Sequence, residues 1–382
     1  MINTSEPVMS GYLHRRALEK GVPVSGTFEL TSNCNFNCPM CYVHGSCEKQ
    51  EELSAKEWLS LADEVKKAGT LFLLLTGGEP LLRKDFEEIY VTLSKMGFII
   101  SINSNGSLIE DYISVFKKYP PGRINISLYA ADRETYKSFC KADKFEKVVS
   151  AIETLKKEQI CVRLNSVFTV DNYNKASDII KFAKEHELQL KHTAYSFPQL
   201  RVSGMPGINA ARLSASEAAQ CSVESDVLRF DTETFVRRGK KLLEKADENT
   251  DTDAYTHIRC RAGRCSYWIT CDGKMRPCGM MTRPETEPLK AGFEKAWEEL
   301  KEQVRSITLA HECSVCENRV SCPVCAAMCL AETGSFNKKP EYICSMFKHT
   351  CDLTQKQLLR IGDIQADTDI FADKPEENFC DY

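Results

Sequence analysis

Six short stretches rich in aliphatic and β-branched residues recur between Thr27 and Phe197, separated by longer stretches whose apolar residues return every three or four positions. The short ones are TFELT from Thr27, LFLLLTGG from Leu71, FIISINSNG from Phe98, RINISLY from Arg123, CVRLNSVF from Cys161 and QLKHTAYSF from Gln189. Runs of this length and composition predict strands. The segment LSAKEWLSLADEVKKAG predicts a helix, with Ser54 as N-cap, Glu57 three residues on completing a capping box, and Gly69 ending it. KFEKVVSAIETLKKEQ and NKASDIIKFAKEHE carry the same helical period. Alternating strands and helices imply an α/β fold of parallel strands joined by right-handed crossovers, with functional loops at the C-terminal ends of the strands.

The pattern changes after Pro198. Residues 199–255 open on a Gly- and Pro-containing segment and continue as charged helical sequence, read as a linker of bridging helices. From Cys260 to Cys351 cysteines become dense, and 352–382 is acidic and weakly apolar, read as a loosely held tail. The expected organisation is an N-terminal extension over 1–26, a barrel over 27–198, the linker, a small cysteine-rich domain over 256–351, and the tail.

Composition narrows the classes. A net charge of −4 over 382 residues gives no general footprint for nucleic acid. The longest apolar runs, such as Leu71 to Leu75, fall far short of the roughly 18 residues a membrane-spanning helix needs, and no basic-then-apolar export signal opens the chain. The reading is a soluble cytoplasmic protein. Nineteen cysteines in such a compartment point to metal or iron-sulfur ligation rather than a disulfide framework.

The first cluster of chemistry is CNFNCPMCY, which spaces Cys34, Cys38 and Cys41 as C-x3-C-x2-C directly after the first strand. One loop of this length wraps three thiolates around a metal centre, and three thiolates on a 4Fe-4S cluster leave one iron open for another ligand. The second is LTGGEP at the end of the second strand. Gly77 and Gly78 permit close approach to the backbone, and the Glu79 carboxylate suits a cationic amine.

In these motifs, their order and their strands, the sequence resembles the radical SAM superfamily. The resemblance implies a partial (β/α)6 TIM-like barrel. It implies that Cys34, Cys38 and Cys41 hold a 4Fe-4S cluster whose fourth iron is chelated by S-adenosylmethionine (SAM). It further implies reductive cleavage of SAM to a 5'-deoxyadenosyl radical, with electrons from a donor such as flavodoxin or ferredoxin. Cofactor-binding positions carried over are Gly77, Gly78, Glu79 and Pro80, Ser104 and Asn105 near the ribose, and Ser127 near the carboxylate, which Arg163 neutralises. Tyr42 screens the cluster or contacts adenine. For each of the strand residues an ordinary barrel-lining or capping role is the plain alternative, and for His44 beside the loop a packed role is the simpler one.

The C-terminal cysteines resemble the SPASM extension of this superfamily, which holds two auxiliary 4Fe-4S clusters. A single zinc is the plain alternative for C-x2-C pairs, but it would use only four thiols. The resemblance assigns Cys313, Cys316, Cys322 and Cys344 to a distal cluster, and Cys260, Cys278 and Cys325 to a proximal one. The family leaves three residues after the cysteine matching Cys322; here there are two, so Cys329 competes with Cys325. Cys265 is placed with the proximal ligands by its spacing; without it that cluster keeps an open iron. Cys47, Cys140, Cys161, Cys221, Cys271, Cys329, Cys351 and Cys380 read as core or surface thiols, with Cys221 or Cys271 as conceivable hydrogen donors.

The functional expectation is an enzyme that modifies a peptide or protein side chain by crosslinking, thioether formation or oxidation. Sulfatase-maturing enzymes, similar in architecture, carry an aspartate after the cysteine matching Cys278, where this chain has Gly279, Met280 and Met281. With only 26 residues ahead of the first strand, a leader peptide is expected to need a separate partner or a different docking surface. The alternatives are a small-molecule cyclase, mutase or epimerase, the likeness to molybdenum-cofactor cyclases being limited to the barrel, and a non-enzymatic iron-sulfur or zinc regulator.

Overall fold

The structure, a computed structural model, describes residues 8–43, 46, 51–247 and 250–362. Helix α1 (Val8–Lys20) precedes six parallel strands: β1 (Ser25–Glu29), β2 (Phe72–Thr76), β3 (Ile99–Ser104), β4 (Arg123–Ser127), β5 (Val162–Val167) and β6 (Gln189–Thr193). The crossovers carry α2 (Ala55–Lys67), α3 (Phe86–Lys95), α4 (Ile113–Lys118), α5 (Arg133–Cys140), α6 (Phe145–Lys157) and α7 (Ala176–Glu185). In α2 the capping box of Ser54 and Glu57 forms, and the buried stripe is Trp58, Leu61, Ala62 and Val65. This is the expected α/β partial barrel.

Strand periodicity divides the sheet into two chemically different faces. Phe28, Leu73, Leu75, Ile100, Ile102, Ile124, Ile126 and Leu164 are buried under the helices, each stabilising by about 1.5–3 kcal/mol relative to exposure. The alternate positions, which include Asn103, Asn125, Ser127, Arg163 and Asn165, make the inner face polar.

The cysteine-rich segment does not stand apart from this sheet. Strand β7 (Ser266–Ile269) pairs in parallel with β1, and β8 (Met275–Arg276) pairs antiparallel with β7, giving the order β6-β5-β4-β3-β2-β1-β7-β8. Gly26 admits this partner: a Cβ there would lie 2.3 Å from the Tyr267 hydroxyl. The segment 199–255 carries α8 (Leu200–Ser203), α9 (Ala215–Arg229) and α10 (Thr232–Leu242), and the C-terminal part adds α11 (Pro288–Ala291), α12 (Phe293–Arg305), α13 (His311–Ser314), α14 (Ala326–Thr333) and α15 (Glu341–Ile361).

Two flanking stretches carry helices. The stretch expected to form an N-terminal extension contains α1, whose Ala17 packs with Val24. The start of the expected tail belongs to α15, where Phe347, Thr354 and Leu358 are buried and Leu358 packs with Val223, Phe235 and Val236. Their spacing of seven and four is a helical stripe that the acidic composition obscured. The rest of the tail, with Cys380, lies outside the described residues, as do His44 and Cys47. No helix among the described residues is long and apolar enough to cross a membrane.

Candidate active site at the strand ends

The loop after β1 and the turn after β2 are built as one unit. Pairing continues past the strands through Leu30 N–H to the Thr76 carbonyl, Gly78 N–H to Thr31 and Glu79 N–H to Asn33, each at 2.8 Å. A Cβ on Gly77 would sit 2.4 Å from the Thr31 oxygen and one on Gly78 2.3 Å from that of Asn33. The paired glycines were expected to make room for a ligand. The group that approaches is instead the chain's own backbone, in the residues that run directly into Cys34.

Side chains that carry no motif fix the same loop. Glu52 accepts from Thr31 Oγ1 and Ser32 N, both at 2.8 Å. Arg83 donates to the Leu30 carbonyl at 2.8 Å and the Leu53 carbonyl at 2.9 Å while pairing with Asp85. Gln199, at the start of α8, donates to the carbonyls of Pro39 (2.9 Å) and Cys41 (2.8 Å). Nothing in the local sequence marks these residues, because each acts across a long separation in the chain.

Glu79 is buried, and its carboxylate accepts from Leu81 N–H (3.1 Å), Ser104 Oγ (3.0 Å) and Asn105 N–H (2.6 Å). Burial pushes it up to about 7 against the pull of these donors. Glu79 thus ties the β2 turn, where Pro80 opens a short 3-10 turn, to the end of β3. Asn105 in turn donates to Asn35 Oδ1 at 2.7 Å and points its amide at Cys34 Sγ, 3.8 Å away. Expected residues Gly77, Gly78, Glu79, Pro80, Ser104 and Asn105 are therefore brought together around Cys34.

The three thiols of the loop lie within electrostatic reach of one another, and burial, with their mutual repulsion, pushes Cys34 up to about 12. The Phe36 N–H points at Cys34 Sγ at 3.4 Å, an arrangement that favours a thiolate once a metal binds. Cys38 is raised by a hydrogen bond with Cys140, a thiol expected to be plain core. Ser127 ends β4 in register with Asn165, and Arg163 lies in register with Asn125 one layer below.

Tyr42 is half-buried within electrostatic reach of Cys41 and Cys278, its hydroxyl raised mainly by the desolvation of its tip, with the Arg201 guanidinium 6.0 Å from the ring centroid. Arg201 makes two hydrogen bonds to Glu29, at 2.7 and 2.8 Å, and one to the Gly279 carbonyl at 3.2 Å. Trp268 also donates to Glu29 at 2.8 Å. Helix α8 thereby grips both the first cysteine loop, through Gln199, and the turn after Cys278, through Arg201.

The C-terminal thiols fall into two groups. Cys278, pushed up to about 12 mainly by burial, also feels Cys325 and Cys260, and Cys325 feels Cys260. Cys313 feels Cys316 and Cys344, and Cys322 feels all three. Cys329, a turn beyond Cys325, faces Cys313 and Cys322 as well as Cys325. The Met280 and Val324 N–H groups favour the thiolates of Cys278 and Cys322, as Phe36 does at Cys34. Thiols of this type suit iron-sulfur ligation, while among the described residues no three His, Cys, Asp or Glu side chains converge as they would on a single metal ion.

Cys265, expected among the proximal ligands, shares electrostatic reach with Cys260. It is fully buried with Ala17 and Val24 under the N-terminal ends of β1 and β2. A tight turn carries the Cys265 N–H back to the Arg261 carbonyl, at 3.0 Å. Cys221, conceived as a hydrogen donor, is buried on α9, which packs against α7 and α15 outside the barrel.

Residues 28–183, which contain this site, match the family model described as the Radical SAM superfamily. Among curated relatives, the chain is 28% identical to a probable GTP 3',8-cyclase of Archaeoglobus fulgidus, over 70% of this chain and 89% of that one. It is 24% identical to the AdoMet-dependent heme synthase of Methanosarcina barkeri, over 82% of this chain and 94% of that one. Among solved structures, Streptococcus suis SuiB bound to precursor peptide SuiA matches with a TM-score of 0.64 at 15% identity, covering 88% of this chain and 80% of that one. Native anSMEcpe with bound AdoMet and Cp18Cys peptide matches with a TM-score of 0.66 at 18% identity, covering 89% and 98%. Both likenesses extend well beyond the matched domain into the cysteine-rich part.

Proposed function

We propose that the chain is a radical SAM enzyme that modifies a peptide or protein side chain, by a crosslink, a thioether or an oxidation. In this reading Cys34, Cys38 and Cys41 hold the SAM-binding 4Fe-4S cluster. Cys313, Cys316, Cys322 and Cys344 hold one auxiliary cluster, and Cys260, Cys278 and Cys325 the other. With SAM bound, the first cluster supplies the 5'-deoxyadenosyl radical that takes a hydrogen atom from substrate. The chain's own residues position it: Glu79 and the Ser104–Asn105 turn fix the cysteine loop and offer a carboxylate to the SAM amine, while Ser127 and Arg163 on the inner wall face its carboxylate. Tyr42 screens the loop from the proximal thiols.

The observation that carries the reading is the Cys34–Glu79–Asn105 unit, three separate loops interlocked at one end of a parallel sheet. The peptide substrate is supported by the fold shared across nearly the whole chain with two proteins solved with peptides. A second reading, a small-molecule substrate, is supported by the sequence relatives named as a cyclase and a heme synthase. The electron donor proposed is a flavodoxin or ferredoxin, and a leader peptide would be read by a separate partner.

Anaerobic reconstitution with iron, sulfide, SAM and reductant tests the radical chemistry: 5'-deoxyadenosine is the expected product, and its absence overturns both substrate readings. Mass spectrometry of short peptides encoded beside the gene, incubated with the loaded enzyme, separates them. A mass change in a peptide supports the first, and none with any neighbouring peptide favours the second.

A further inference from the structure

The inner wall of β4, β5 and β6 holds polar groups that the cysteine loops do not use. Asn125 is 3% exposed, and its Nδ2 donates to Asn103 Oδ1 at 2.8 Å. That bond fixes the amide's orientation and leaves Asn125 Oδ1 buried with no partner. Asn165 Oδ1 and Arg123 Nε are buried and unpartnered in the same way. Register places them together: Asn103 is level with Asn125, Asn125 with Arg163, and Asn165 with Lys191. Arg123 precedes Asn125 by two positions and so shares its face.

An orphaned buried polar atom is costly, because it has given up its water without replacing it, so several on one wall call for a ligand that satisfies them. The wall's chemistry describes that ligand. Arg123, Arg163 and Lys191 are cationic, and β3 to β6 contain no acidic residue. The two asparagine oxygens are acceptors and need donors. We infer that this wall is a substrate subsite for an anionic group, carboxylate or phosphate, flanked by N–H donors. The inference rests on the proposed enzyme reading for what happens to the ligand, not for its binding. An acidic peptide and a nucleoside triphosphate share this chemistry. Arg163 has been proposed above to face the SAM carboxylate, so Arg123, Lys191 and the two asparagines distinguish the substrate subsite from the SAM site.

Titration calorimetry on the full chain with hexaglutamate, ATP and hexalysine tests the inference and separates the sources. Binding of hexaglutamate favours the peptide source, binding of ATP the nucleotide, and hexalysine is expected not to bind. Arg123→Gln and Lys191→Met are each expected to weaken the binding anion about tenfold, and Lys181→Met on the outer helix α7 not at all. Should Arg123→Gln melt early, Asn165→Asp, equal in size but opposed in charge, carries the test with the same expected loss. Unchanged affinity in Lys191→Met and Asn165→Asp overturns the subsite. Wild-type protein that makes 5'-deoxyadenosine but binds neither anion overturns this inference alone; one that binds an anion but makes no 5'-deoxyadenosine overturns the proposed function alone.

Discussion

The two cysteine-bearing regions are held by different means. The loop carrying Cys34, Cys38 and Cys41 is fastened by groups far away in the chain: Gly78 and Glu79, Glu52, Arg83, and Gln199. The segment from Cys313 to Cys322 is held by local turns, such as Cys313 N–H to Ala310 and Cys322 N–H to Asn318, and by one other stretch of chain, through Ala246 N–H to the Glu317 carbonyl, Ser321 to the Glu244 carbonyl and Arg319 to the Thr250 carbonyl. The first is a site organised by the fold before any metal arrives. In the proposed reading the second, tied to fewer parts of the fold, would gain more order from a bound cluster, because binding free energy then becomes folding free energy.

The largest expected effect concerns Arg201, which ties the end of β1, ahead of the first cysteine loop, to the turn after Cys278. Arg201 and Glu29 form an ion pair with side chains 4% and 0% exposed, and truncating one partner of such a pair costs about 3–5 kcal/mol. Arg201→Ala is expected to lose that much in denaturant unfolding, with iron lost from both regions. Loss confined to the C-terminal clusters would show that the two are held independently.

Gly78→Ala sharpens the contrast from the barrel side. Its Cβ would meet the Asn33 oxygen at 2.3 Å, an overpacking worth about 1–3 kcal/mol, read as weaker SAM binding with the C-terminal iron retained. Removing iron by anaerobic chelation acts from the other side. Amide exchange is expected to quicken about tenfold over 311–325, roughly 1.4 kcal/mol of local stability, and far less over 30–41.

Smaller effects follow from single groups. Glu79 has its ordinary value of 4.5 when unfolded and about 7 when folded, so between these the native state binds more protons than the unfolded one. Stability of the metal-free protein from this group is present below pH 4.5 and lost as pH rises towards 7; thermal melts of Glu79→Gln are expected to show a flatter profile across that window. Cys265→Ala is expected to keep all its iron, whereas Cys278→Ser and Cys325→Ser each lose about four atoms per chain. Iron loss from Cys265→Ala would restore it to the proximal ligands.

Much of the barrel is legible in the sequence, because strand alternation and helical period are local signals: FIISINSNG and RINISLY state both faces of their strands. The cysteine loop and TGGEP are legible for the same reason. What is missed is long-range. The addition of β7 beside β1 depends on Gly26 making room for Tyr267, and the grip of α8 depends on Gln199 and Arg201 meeting partners more than 150 residues away. Spacing put Cys265 beside Cys260, but one thiol is buried and the other exposed. The α15 stripe was hidden by acidic composition, which describes solvent preference and not helical phase.

The central claim is that one loop makes the radical and the C-terminal thiols form separate centres. Iron and 5'-deoxyadenosine assayed together, in wild type and in the C34A/C38A/C41A variant after anaerobic reconstitution, test it most directly. About twelve irons in the wild type and about eight in the variant, with 5'-deoxyadenosine made only by the wild type, are predicted. A variant that still makes 5'-deoxyadenosine, or that loses nearly all its iron, contradicts the account.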